Sequence, residues 1–189
     1  MTKIPLIVLV LLPFISHAQF TKGDKFIGGS LQYTSNRNTN AESKSYAISV
    51  LPKVGFLLNE KWAIGAMLGY QNYHTKHAGI VNSESFGAGF FTRRYFTISE
   101  KFIFSLEGGL SYWNRETWGS FYENPKYDVA SATITPSFLF FPSSHWGIEL
   151  SLASLVYDYT TYKDADAPIH NFSVQAGALN LGLAYYFRK

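Results

Sequence analysis

The feature that most constrains this chain is a period of two, clearest between Gly177 and Phe187. Every second residue there is Leu179, Leu181, Leu183, Tyr185 and Phe187, and those between are Ala178, Asn180, Gly182, Ala184 and Tyr186. One face is apolar and ends in aromatics; the other is mostly small or polar. Successive side chains of a strand point to opposite sides, so this alternation predicts a β-strand with one face in an apolar medium.

The pattern recurs along the chain. Alternation predicts strands over Lys25–Thr34, Ser45–Leu58, Trp62–Tyr73, Ser85–Phe96, Phe102–Trp113, Asp128–Phe141 and Trp146–Tyr157, with an eighth after Asn171. In the fourth, Phe86, Ala88, Phe90 and Phe96 share a frame, while Phe91 and Tyr95 fall in the other. Pro52 has no N–H to give to a ladder and is expected to mark a bulge or weak point. Polar, turn-rich stretches at Ser35–Ser43, His74–Ser83, Asn114–Tyr127 and Asp158–Asn171 read as long loops, and Asn59–Lys61, Thr97–Lys101 and Pro142–His145 as short turns. Long and short connections alternate. The aromatics that open strands, Phe26, Trp62, Phe102 and Trp146, stand 36, 40 and 44 residues apart. The unit is a hairpin with a long tip, used four times. The spacing is too irregular for a propeller or a solenoid.

The N-terminus predicts where the chain goes. Lys3, an apolar run from Ile4 to Ile15 and Ser16-His17-Ala18 form the three parts of a secretory signal peptide, expected over residues 1–18 and leaving a barrel domain at 19–189. The chain has no cysteine, which excludes a lipid-anchored cysteine and disulfides. With 16 basic and 13 acidic residues and no basic stripe, it lacks the footprint of a nucleic-acid binder. After the signal no apolar run approaches the ~20 residues a membrane helix needs. The options are a soluble all-β domain or a transmembrane β-barrel. An aromatic content of 17% argues for the second, because an interior of eight strands could not hold so many large rings. Eleven residues at ~3.3 Å each, tilted ~45°, span about 25 Å, the apolar band of an outer-membrane barrel. An even strand count, with both termini at the short-turn rim, fits the same architecture.

With its signal ending Ala18-Gln19, its hairpin repeat and the closing strand LNLGLAYYF ending at Phe187, the chain resembles the outer-membrane β-barrel domain family of Gram-negative bacteria, the eight-stranded OmpA/OmpX-like type. The likeness covers essentially all of residues 19–189. It implies an all-β, eight-stranded antiparallel up-and-down transmembrane barrel in the cell outer membrane. It also implies outer-membrane lipid, lipopolysaccharide and the barrel assembly machinery as partners.

Three groups of residues are candidates for function. An aromatic girdle is expected from Phe26, Trp62, Phe102 and Trp146 at the short-turn rim with Tyr185 and Phe187 of the closing strand. An outer one is expected from Tyr33, Tyr70, Tyr73, Tyr112, Trp113 and Tyr157. Lys53, Arg93, Glu107 and Glu149 fall on the opposite faces at similar heights, and predict a balanced lumen charge cluster that closes the bore. Trp118, Phe121, Tyr122, Tyr127, Tyr159 and Tyr162 predict a sticky loop surface for an extracellular ligand. His74, His77 and His170 lack a carboxylate or cysteine at metal-binding spacing, and Asp164-Ala165-Asp166 lacks the other ligands of a calcium loop. His170 and Ser173, three apart on a strand, fall on opposite faces, and no nucleophile motif is present. No catalytic residue, metal or cofactor is therefore expected. The expected role is structural and surface-interactive, for a monomer displaying four loops. A narrow channel for small or hydrophobic solutes and an outer-leaflet lipid hydrolase are the alternatives.

Overall fold

The computed structural model describes residues 20–38, 43–76, 80–120, 125–163 and 167–188. The expected signal segment, 1–18, lies outside them. Eight strands follow one another: β1 Lys25–Asn38, β2 Ser43–Leu57, β3 Trp62–Lys76, β4 Ile80–Thr97, β5 Phe102–Gly119, β6 Lys126–Phe140, β7 Trp146–Tyr162 and β8 Ile169–Phe187. Each pairs antiparallel with its neighbour, and β1 meets β8 to close the barrel. Closure removes the open sheet edges that hydrocarbon does not tolerate.

The molecule is inverted relative to a soluble protein. Leu31, Leu68, Phe90 and Leu110 are each more than 60% exposed on the outside, whereas Ser105 and Ser137 are fully buried within. Such a surface needs lipid around it. The closing strand has the expected phase: Leu181, Leu183 and Phe187 face out, and Ala184 and Tyr186 are buried.

The three short turns share one device. Asn59 Oδ1 accepts from the Trp62 amide at 3.0 Å, Ser99 Oγ from Phe102 at 3.3 Å and Ser143 Oγ from Trp146 at 3.3 Å. In each, a short polar side chain satisfies the backbone of the residue three positions on. The residue so held is an outward aromatic: Trp62, Phe102 and Trp146 are 38%, 50% and 44% exposed.

Several expectations are corrected. The strands run beyond the membrane band, to Asn38, Lys76, Gly119 and Tyr162, so the long loops are shorter than their polarity suggests. Strand pairing continues in water, where no apolar face is required, and hydrophobic alternation is therefore blind to it. Phe26 is not a girdle residue: it is 3% exposed and packs inside against Phe91 and Tyr186. Trp113 is likewise buried inside, and Tyr73 faces the lumen mouth. Pro52 pairs with Gly29, but the β2–β3 ladder passes from Val50↔Tyr70 to Lys53↔Met67, skipping the proline as its missing N–H requires. A one-residue register shift against β6, between Ile134 and Ser137, reverses the phase of β7: Trp146 and Ile148 face out below it, Leu155 and Tyr157 above it.

Candidate functional site

The lumen is built in layers from the short-turn end. The lowest is an aromatic floor. Residues 20–24 fold under the barrel and are tied to β2, where the Gly23 amide donates to Leu57 O at 2.9 Å and the Leu57 amide to Asp24 O at 2.8 Å. Gly23 has φ of +96°, a region open to glycine and strained for other residues. The buried Asp24 carboxylate accepts from the Thr21 amide at 3.0 Å and its hydroxyl at 2.9 Å, fixing the turn. This delivers Phe20 into the bore, 4.4 Å from the Tyr95 ring, 5.2 Å from Tyr186 and 5.7 Å from Phe141. The Arg188 guanidinium covers the set, 5.1 Å from Phe20 and 4.9 Å from Phe141. Phe26 reaches the floor across Gly55, where a Cβ would collide with its ring.

The charged layer rests on this floor. Arg93 is 1% exposed. Its Nε donates to Glu107 Oε2 at 2.9 Å, and Nη1 and Nη2 donate to Glu149 Oε2 and Oε1 at 2.9 and 3.1 Å. Lys53 pairs with the other oxygen of Glu107. The Arg93 guanidinium also lies 5.7 Å from Phe91 and 5.8 Å from Phe26. Two cations and two anions from β2, β4, β5 and β7 thus cross-link the barrel at one level. Glu107 stands directly opposite Arg93 in the β4–β5 register. The bidentate bond to Glu149 uses the planar donor fork of arginine, which lysine could not reproduce.

Above the charges the lumen opens. A cavity of about 270 Å³ is lined by Ser111, Trp113, Thr133, Gln175 and Asn180, and shares Gln32, Ser49, Gln71 and Arg115 with a wider cavity of about 510 Å³ at the outer mouth. The two form one polar cup, closed below and open outward. Arg115 has no carboxylate partner among the described residues, and its Nε is buried without a hydrogen bond.

The expected loop surface separates. Phe121 and Tyr122 lie outside the described residues. Trp118 is on β5, Tyr127 on β6, and Tyr159 and Tyr162 on β7. Tyr127 and Tyr162 stack at 5.0 Å on the inner side of the mouth. Tyr159 faces out, edge-on to His170 at 5.1 Å. His170 Nδ1 is 2.6 Å from the Tyr157 hydroxyl. Tyr157, Tyr159 and Phe172 mark the outer face at that height, and His170 shares it, whereas Ser173 opposite Val156 faces the lumen. The histidine and serine do not meet. His77 and the Asp164–Asp166 pair lie outside the described residues, and no cluster of metal-ligating side chains occurs among those described.

Sequence reasoning missed the floor. Its signals were Phe91 and Tyr95, which break the frame of β4, and Tyr186, which sits on the otherwise small face of β8. Arg115 was missed because its position was read as loop.

No protein-family model matches the chain, and no curated protein is similar to it in sequence. Solved structures are similar in fold. The outer-membrane protein OprG of Pseudomonas aeruginosa aligns over 91% of this chain and 99% of its own, with 11% identity and a TM-score of 0.52. The N-terminal β-barrel domain of OprF from the same organism aligns over 89% and 100%, at 14% identity and a TM-score of 0.44. Ail, the attachment invasion locus protein of Yersinia pestis, aligns over 88% and 100%, at 16% and 0.44. The chain shares with OprG the fold of an outer-membrane barrel, closed here by eight antiparallel strands. Its apolar belt and closed topology make it an outer-membrane protein.

Proposed function

We propose that this protein is a closed barrel with a structural and surface-interactive role, exercised through the outer ends of its strands and the connections between them. The observation that carries this is the double closure of the bore, by the Arg93–Glu107–Glu149–Lys53 layer and the aromatic floor beneath it. A bore shut twice is a poor conduit, and what remains accessible from outside is the polar cup and its aromatic rim. Tyr127, Tyr162, Tyr159 and Trp118 stand on paired strands, so the rim is held rigidly and loses little conformational freedom on contact. Lipid and lipopolysaccharide meet the outward faces. The barrel assembly machinery recognises the closing strand during insertion.

The test is a binding screen on whole cells and on refolded barrel, comparing the intact protein with one carrying Tyr127→Ser, Tyr159→Ser and Tyr162→Ser together. Binding of a cell-surface or matrix component that is lost in the triple variant, with folding retained, supports the proposal. Full retention would move the function away from the rim.

A further inference from the structure

The barrel is not closed to the same height all round. Seven of its seams pair over at least twelve rungs. The β1–β8 seam has six, from Lys25↔Phe187 to Ser30↔Gly182. Among the described residues, β1 beyond Ser30 continues to Asn38 paired only with β2, and residues 169–176, 180 and 181 of β8 pair only with β7. Five residues at ~3.3 Å, tilted ~45°, climb about 12 Å, roughly half of the ~25 Å apolar band. The split therefore begins near mid-membrane and faces the outer leaflet.

The wall where it begins is thin. Gly28, Gly29, Ser30 and Gly182 line the inner cavity and also a groove of about 450 Å³ on the lipid-facing side. The rest of that groove is apolar: Leu31, Val50, Pro52, Leu181 and Leu183. Unpaired backbone at membrane depth is tolerated only where it lines a wet cavity or meets polar atoms. The lumen supplies these, since Gln32 and Asn180 stand one lumen-facing position beyond the last rung. Across the same cavity lies Arg115, the lumen cation without a carboxylate partner among the described residues.

We propose that the split seam is a lateral portal, through which the polar cup takes the anionic head of a single-chain amphiphile of the fatty-acid class from the outer leaflet. Arg115 receives the carboxylate, helped by the amide of Gln71, and the tail lies through the gap in the groove between Leu31 and Leu183. Charge selects the ligand: the lower cations are neutralised by Glu107 and Glu149, and the Asp158 carboxylate in the same cavity accepts from the Ser131 hydroxyl and pairs with no cation among the described residues, so Arg115 is the cation free to receive an anion. The inference goes beyond the surface role, and a barrel shut at its lower end is compatible with it.

The experiment uses refolded full-length barrel in lipid nanodiscs, with palmitate as probe and calorimetry as readout. The chain has no cysteine, so Gln32→Cys with Asn180→Cys gives a clean lock for the seam. Wild type is expected to bind palmitate. The oxidised double-cysteine protein should lose at least tenfold in affinity and regain it on reduction. Arg115→Gln should lose at least tenfold and Arg115→Lys much less, with the cationic dodecyltrimethylammonium binding no better to wild type than to Arg115→Gln. Heat-modifiable gel migration shows that each variant is folded. No palmitate binding by wild type, equal binding by locked and reduced protein, or indifference to Arg115→Gln overturns the proposal. So does a disulfide formed between two copies rather than within one, which would assign the split edges to a dimer.

Discussion

At the scale of single residues, Arg93 governs the interior. It is fully buried yet makes four hydrogen bonds to two carboxylates, so its charge is compensated in place. Glu107→Gln removes the charge facing both Arg93 and Lys53. We expect a loss of roughly 3 kcal/mol, the low end for breaking a buried pair, because Glu149 still holds Arg93. Arg93→Gln in the same chain should recover part of it. Refolding titrations of the wild type, both single variants and the double variant would show a coupling of about 1–3 kcal/mol. Simple additivity would mean that the two side chains act independently. The outer surface obeys the opposite rule. Leu183, 52% exposed to lipid near mid-band, should cost ~2–4 kcal/mol when changed to Arg. Asn180→Ala, on the lumen side, should change stability little. Equal effects in a bilayer refolding titration would reverse the phase assigned to β8.

At the scale of elements, legibility depended on the medium each part of a strand crosses. Within the lipid band one face must be apolar, so the phase of β8 could be read from Leu181, Leu183 and Phe187. Outside the band that demand vanishes, and β5 from Asn114 to Gly119 looked like loop although it pairs with β4 residue by residue. Phe26 failed for a different reason. Both the girdle and the floor want rings near the short-turn rim, and Gly28-Gly29 erases the alternation that would have told them apart. The lumen charges were legible because a charged residue on an apolar-alternating strand has only one face to occupy. The segment before β1 was not, since nothing in its own pattern says that Phe20 turns back under the barrel. Its weight can be measured. Phe20 is 3% exposed among three aromatic rings and Arg188, so Phe20→Ala should cost about 3–5 kcal/mol on the usual scale for a buried phenylalanine. Urea unfolding of refolded barrel would show it, and a change below ~1 kcal/mol would mean that the floor holds without its lowest ring.

At the scale of the whole molecule, the layers form a cup: aromatic floor, neutral charge layer, polar cavity and aromatic rim, wrapped in an apolar belt. A conduit needs a continuous wet path, and the two lower layers interrupt it. The most direct test is single-channel recording of the purified, refolded protein in planar bilayers. Wild type is expected to show no steady conductance. Removing the floor and the plug together, through Phe20→Ala, Phe26→Ala, Arg93→Gln and Glu107→Gln, should open a small, steady step. Stable, voltage-independent conductance from the wild-type barrel would contradict the closed bore, and with it the surface role proposed here.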